Sequence, residues 1–493
     1  MSHAQTPGIS TNSTLRRPPP RSTGKKWMTR PRTAAIEGKS PDRSPLMTSR
    51  NQSTAHHAQG GITIVVGAQW GDEGKGKWID WIAGGADIVA RYQGGNNAGH
   101  TLYIKGQKVV LHQVPSGIFH AGQTCVLAAG VVINPGELVR ETAKVAPYAK
   151  VTPDNLWLSA RAHVITPWHV ATDGRREAQR EASSGSAIGT TRRGIGPTYS
   201  DKTARSGLRL GDYVNTQARK NWIATMASAS EEFARNLETN ASDWAAFAAA
   251  AQQLAPFVCD AEARVRAAAA NGKKILMEGA QGTLLDLDHG TFPFVTSSST
   301  IAAGACASLG IPPRAVSGIY GIAKAYLTRV GAGPFPTELT DQTGDAIRER
   351  GQEFGATTGR PRRCGWFDAV AMRYAQDVNG FDGVILNKFD ILSGMDELKI
   401  AVAYEHPELG RIDQFPWDPE VLAACKPVYK TFKGWHGELP KQGGIESLPE
   451  AAREYIKAIE QSSGIKVVAA GTGPGRDEAL LGGDLQRLVT LDA

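Results

Sequence analysis

The sequence predicts an α/β fold of P-loop-like kind, a large and mostly parallel central sheet flanked by helices. Three observations predict it. Short apolar runs at 62–66, 87–91, 124–128, 274–277, 383–386 and 466–469 have the length of strands, and their near-continuous apolar character suits strands covered on both faces. Residues 215–270, between these runs, are rich in Ala, Glu, Arg and Gln and read as helix. The first run passes into a glycine-rich turn and then a helical pattern, the order of an α/β unit.

With 493 residues, 41% of them apolar, the chain can bury a proper core, which excludes disorder as a whole. It contains no apolar run of membrane-spanning length, so no membrane partner is expected. The net charge of +7 is unevenly placed: residues 1–60 hold ten Lys or Arg against Glu37 and Asp42, a balance of +8, which leaves 61–493 near −1. A basic tail on a neutral body is no nucleic-acid face, and the tail has only Trp27 as an aromatic.

The chain therefore divides into a disordered, basic, Ser/Pro/Arg-rich extension, 1–60, and one folded domain, 61–493. The extension has the composition of an organelle transit peptide without the apolar face of a mitochondrial one, and a solvated tail or an upstream start codon is the plainer reading. Five scattered cysteines, at 125, 259, 306, 364 and 425, form no metal-binding spacing and suit a reducing, cytoplasmic setting. Cys364 adjoins an arginine cluster that would favour its thiolate.

Gly71-Asp72-Glu73-Gly74-Lys75-Gly76-Lys77 fits the Gly-x-x-x-x-Gly-Lys pattern, in which backbone N–H groups approach phosphate oxygens and lysine adds a point charge. The hydroxyl residue that should follow and bind magnesium is replaced by Trp78, so another oxygen must hold the metal, and Asp72 is the nearest. Asn387-Lys388-Phe389-Asp390 follows an apolar run, where open α/β sheets bind ligands. An aspartate there can accept both the N1–H and the 2-amino hydrogens of guanine, which argues for GTP over ATP. A second glycine-rich turn, 91–101, carries His100, a candidate general acid. Thr357-Thr358-Gly359-Arg360-Pro361-Arg362-Arg363 gathers guanidinium and hydroxyl groups suited to carboxylates or phosphates.

Together, GAQWGDEGKGK (67–77), RYQGGNNAGHT (91–101), AIGTTRRGIGPTYSDK (187–202), EGAQGTLLDLDHGTFPFVTSS (278–298), TRVGAGPFPTEL (328–339) and GATTGRPRRCGW (355–366) closely resemble the adenylosuccinate synthetase family over residues 61–476. The resemblance implies ligation of IMP to L-aspartate at the cost of GTP, the committed step from IMP toward AMP, through 6-phosphoryl-IMP. It implies a catalytic set of Asp72, His100, Lys75 and Gln281, with Asp72 as base toward the N1 proton of IMP and His100 as acid toward the phosphoryl group. One magnesium ion per subunit would sit on Asp72 and the carbonyl of Gly99.

GTP would meet Gly71, Asp72, Glu73, Gly74, Lys75, Gly76, Lys77, Gly99, His100, Thr101, Arg362, Lys388, Phe389, Asp390, Gly471, Thr472 and Gly473. IMP would meet Asp72, Glu73, Gly74, Lys75, Asn97, Ala98, Gly99, His100, Thr191, Gln281, Thr296 and Arg360, with Arg205 supplied across a homodimer. L-Aspartate would meet Ala356, Thr357, Thr358, Gly359, Arg360, Pro361 and Arg362. Three departures stand out: Pro361 where many relatives carry a basic residue, Arg192 in place of glycine, and a C-terminal loop, Gly471-Thr472-Gly473, without the serine of some relatives. A GTP-binding switch would explain the phosphate loop but not the acid, base and arginine loop, and phage-type relatives that aminate a guanine nucleotide lack the base that Asp72 supplies here.

Overall fold

Alternation along the first strand, β1 (Ile62–Gly67), sets the architecture: Ile64 and Val66 pack into one buried cluster and Val65 into another, so both faces of the sheet are covered. The computed structural model describes residues 61–104, 106–184, 188–355 and 359–482. The expected extension 1–60 and the loop residues Ala356, Thr357 and Thr358 lie outside the described residues.

The remaining strands of the central sheet are β2 (Ile88–Arg91), β3 (Thr124–Leu127), β4 (Leu156–Ser159), β5 (Val258–Cys259), β6 (Ile275–Glu278), β7 (Val316–Lys324), β8 (Gly383–Asn387), β9 (Gln442–Gly444), β10 (Val467–Gly471) and β11 (Ala479–Leu481). They lie in the order β9-β11-β10-β8-β7-β1-β6-β2-β3-β4-β5, and every pairing is parallel except β10 with β11. All six predicted apolar runs are strands of this sheet, as a sheet buried on both faces requires.

The stretch 215–270 is helical, as predicted, but in pieces: Thr216–Ala229, Glu231–Thr239, Ala241–Leu254 and Ala261–Ala270. Asn215, Ser230 and Asp260 break it by capping, each side chain accepting backbone N–H groups of the helix that follows. Val258 and Cys259 interrupt it as β5, pairing with the edge of β4.

Register decides what meets at the carboxyl edge of the sheet. Val65 of β1 lies opposite Glu278 of β6, Glu278 opposite Arg91 of β2, and Lys324 of β7 opposite Asn387 of β8. The loops that leave these strands therefore rise side by side over one edge, the position where open α/β sheets bind ligands. Among the described residues no helix is long and apolar enough to cross a membrane.

Candidate active site

The phosphate loop leaves β1 and enters helix α1 (Lys75–Ala83) through three residues with positive φ, Gly71 at 83°, Asp72 at 59° and Gly74 at 82°. Such turns aim successive N–H groups to one side, at the positive end of a helix. The loop has no spare room. A Cβ on Gly67 would lie 2.5 Å from both the Gln281 carbonyl and Glu73 Oε2, and one on Gly282 would lie 2.6 Å from the Gly71 nitrogen.

The two acids of the loop differ sharply. Glu73 is fully buried and accepts from Gly71 N at 2.8 Å, Gln69 N at 3.2 Å and Lys75 Nζ at 2.6 Å, so it braces the turn. Asp72 keeps 34% of its side chain exposed and gives one oxygen to Arg362 Nε at 2.7 Å. Lys75 also donates to the carbonyl of Gln281, whose own φ of 54° turns that carbonyl inward. Trp78 is completely buried in the core with Val65, Ile322 and Ile385, which accounts for the missing hydroxyl: this face of α1 packs on the sheet.

Lys77, which the pattern assigns to phosphate, here donates to the carbonyls of Gly473 and Glu478, both at 2.7 Å, and so ties the C-terminal loop to α1. Burial depresses its pKa to about 8 against the pull of Asp390 and Glu478. The buried hydroxyl of Thr472, in the same loop, has no hydrogen-bond partner. Asn387 Nδ2 donates to the Glu73 carbonyl at 2.9 Å, which joins the guanine motif to the phosphate loop. Phe389 is buried and stacked on Trp435 at 4.8 Å, so only its backbone is available to a nucleotide. The Asp390 carboxyl is raised above its ordinary range by burial, partly offset by Lys77 and Lys388.

On the other side of the phosphate loop, His100 Nδ1 lies 2.5 Å from Glu278 Oε1, and Glu278 also accepts from Ser116 N at 2.9 Å and Ser116 Oγ at 3.0 Å. Burial holds the imidazole below its usual pKa, with Glu278 opposing. Desolvation opposes the charged form of Glu278 too, but its hydrogen bonds from His100 and Ser116 and the nearby Arg91 charge hold that carboxyl below its usual range. Arg91 is buried beside it and binds the carbonyls of His112 and Gly95. Gly76 lies under this pair, its Cβ position 3.1 Å from His100 Cβ.

The arginine loop is a hairpin pinned at its base by a bridge between Phe354 and Pro361, by Gly355 N on the Arg360 carbonyl, and by Arg362 N on the Glu353 carbonyl, both bonds at 2.8 Å. Arg360 is exposed and Arg362 is buried, its guanidinium between Asp72 and Glu353. Arg363 turns the other way, onto Glu338 at 2.5 Å. The expectation for Cys364 is wrong: it is buried, and burial pushes its thiol up to about 11, because its side chain points into the core.

Of the expected IMP residues, Asn97 accepts from Gly95 N at 3.1 Å and shapes its own loop, Ala98 is buried, and Gln281 carries a buried side-chain oxygen without a partner, beside Gly94. Thr191 and Thr296 are half-buried on separate loops, with Thr296 N bound to the Leu285 carbonyl at 2.9 Å. Arg205 is exposed at the C-terminal end of the helix Ile195–Ala204, with φ 65°. Two residues outside the expected set are central: Glu278 and Glu353. A charged residue closing the apolar run 274–277 was the available signal for the first, and the sequence carried none for the second.

A phosphate-type loop at the first strand, a guanine-type motif two strands away on one side and a buried histidine–carboxylate pair on the other mark a nucleotide-dependent enzyme of the α/β class. The profile of the family described as adenylosuccinate synthetase matches residues 64–480. An adenylosuccinate synthetase of Myxococcus xanthus is 47% identical over 430 residues, 85% of this chain and 98% of its own, and one of Thermodesulfovibrio yellowstonii is 44% identical over 423 residues, 85% of this chain and 98% of its own. The structure of a fully ligated adenylosuccinate synthetase from Plasmodium falciparum superposes with a TM-score of 0.81 at 36% identity, covering 86% of this chain and all of that one. A cyanophage succinoaminodeoxyadenylate synthetase shares the fold at a TM-score of 0.57 and 21% identity, covering 87% of this chain and 98% of its own. The chain belongs to the adenylosuccinate synthetase family, as a GTP-dependent ligase that joins IMP to L-aspartate.

Proposed function

We propose that Asp72 is the base that removes the N1 proton of IMP and that His100 is the acid facing the transferred phosphoryl group. The observation that carries this is the contrast within the phosphate loop: Glu73 is saturated and buried, whereas Asp72 projects from a strained turn with a third of its carboxylate open. Loss of the N1 proton makes O6 a nucleophile, and its phosphorylation turns a poor leaving oxygen into a good one. The amine of L-aspartate then displaces phosphate at C6, giving adenylosuccinate, GDP and inorganic phosphate.

Lys75 and the loop amides hold the γ-phosphate, and the unpartnered oxygens of Gln281 and Thr472 await IMP and guanine nucleotide respectively. Asp390 reads guanine, Arg360 and Arg362 with Gly359 and Pro361 take the carboxylates of L-aspartate, and Arg205 completes the IMP site from the partner of a homodimer. Asp72, with the Gly99 carbonyl, would hold magnesium, a fit that lies in its open carboxylate. When bound, the ion neutralises charge on the phosphates. Residues 61–493 are the catalytic domain, and five free thiols suit a cytoplasmic enzyme.

The test is adenylosuccinate formation from GTP, magnesium, IMP and L-aspartate, with Asp72→Asn as comparison. Removing a general base costs roughly 10²- to 10⁴-fold in rate. A mutant that matched the parent would show that another group takes the proton.

A further inference from the structure

We propose that Glu353 is a positioning residue that couples the guanine-nucleotide site to the L-aspartate loop by gripping Lys388 and Arg362 with one carboxylate. The inference rests on the site reading above, in which Lys388 belongs to the nucleotide and Arg362 to the loop. Oε1 of Glu353 accepts Lys388 Nζ at 2.9 Å and Tyr326 Oη at 2.5 Å, and Oε2 accepts Lys324 Nζ at 2.8 Å and Arg362 Nη1 at 2.6 Å. The side chain is completely buried.

Four donors use up the acceptor sites of the carboxylate, so it cannot move toward one cation without loosening its hold on another. Its charge is indispensable where it stands, because three cations surround it away from water. Burial opposes the charged form, but Lys324, Lys388 and Arg362 hold the carboxyl far below the usual range.

The chain of contacts is continuous. Lys388 stands between the Asn387 that clamps the phosphate loop and the Asp390 that faces guanine; Glu353 links it to Arg362, and Arg362 Nε holds Asp72 at 2.7 Å. Glu353 also sits at the base of the arginine hairpin, its carbonyl accepting Arg362 N at 2.8 Å. A nucleotide that draws on Lys388 thereby changes how firmly Arg362 is held, and a carboxylate that draws on Arg362 changes Lys388 by the same factor.

The experiment measures the dissociation constant of GDP for the full chain, with IMP and magnesium present, at zero and saturating L-aspartate. The unaltered protein is expected to show a change of about 5-fold or more. Glu353→Gln should bring that ratio within about twofold of unity, and Tyr326→Phe, which leaves every charge paired, should reduce it partway. The proposal is overturned if the unaltered protein shows no interdependence, or if a Glu353→Gln protein that melts like the parent keeps it. Should Glu353→Gln fail to fold, an unreduced ratio in Tyr326→Phe overturns it. Lys388→Gln separates the two levels: an unchanged KM for GTP in that variant sinks the site reading itself.

Discussion

The imidazole of His100 and the carboxylate of Glu278 stand 2.5 Å apart although 178 positions separate them in the chain, and both are buried. Nδ1 is committed to the carboxylate, so the neutral ring carries its proton there and offers Nε2 to a ligand. In the acid role proposed for His100, the buried anion behind the ring would favour the imidazolium as negative charge builds on the phosphoryl group.

Glu278→Gln keeps the size of the side chain and removes that anion. It should lower kcat by about 10²-fold, with the KM for GTP nearly unchanged, since the effect falls on the transition state. Without the anion the imidazolium is lost at lower pH, so the alkaline limb of the kcat profile should move down. Rates within twofold of the parent across pH 6–9, taken as a range of about three pH units, would show that the dyad only packs.

Lys77 gives a pH dependence of definite sign. With its pKa depressed to about 8, the ammonium is lost as pH rises past that value, and kcat/KM for GTP should fall there. Lys77→Arg keeps its charge and should remove this limb. Stability should respond in the opposite sense: between about 8 and the ordinary 10.5 the unfolded chain binds the extra proton, so this group favours folding more as pH rises through that window. Paired pH–rate and pH–melting curves for the two proteins test both statements.

Asp390 should discriminate by the 2-amino group. Asp390→Ala removes two hydrogen bonds to a charged acceptor, worth roughly 1.5–3 kcal/mol each, so the KM for GTP should rise by about 100-fold or more. Inosine triphosphate, which lacks the 2-amino group, should lose less, and the two nucleotides should become nearly equivalent. Retained preference for GTP would place guanine recognition elsewhere.

Gly471 lies where the C-terminal loop crosses the guanine motif. A Cβ there would sit 2.5 Å from Asn387 Oδ1 and 3.4 Å from Trp78, both fixed by other contacts. Gly471→Ala should therefore cost about 1–3 kcal/mol of stability and raise the KM for GTP, read by thermal melting and initial rates. An unshifted melting temperature would mean that Asn387 is free to move.

Much of the site was legible because it is local. The phosphate loop is a short run of glycines with a lysine, and its three left-handed residues fall within four positions. The guanine motif and the arginine loop are equally compact, and the strand before the guanine motif announced itself by its apolar run. The misreading of Cys364 came from judging charge by neighbours in the chain, when the direction of its side chain decided the matter.

The sequence by itself determined six of the eleven strands of the sheet, the phosphate loop and the resemblance to one family of ligases, because hydrophobic runs, glycine patterns and motifs are properties of adjacent residues. The tertiary structure alone decided which acids are buried and fully paired, as Glu73 is, and which stay partly open, as Asp72 does. Glu278 meets His100 across 178 positions and Arg362 meets Asp72 across 290, contacts that exist only because β6 lies beside β2, whose loop leads to His100, and the arginine hairpin folds back over the phosphate loop. Strand order is a global outcome of packing, and ion pairs at the carboxyl edge inherit it.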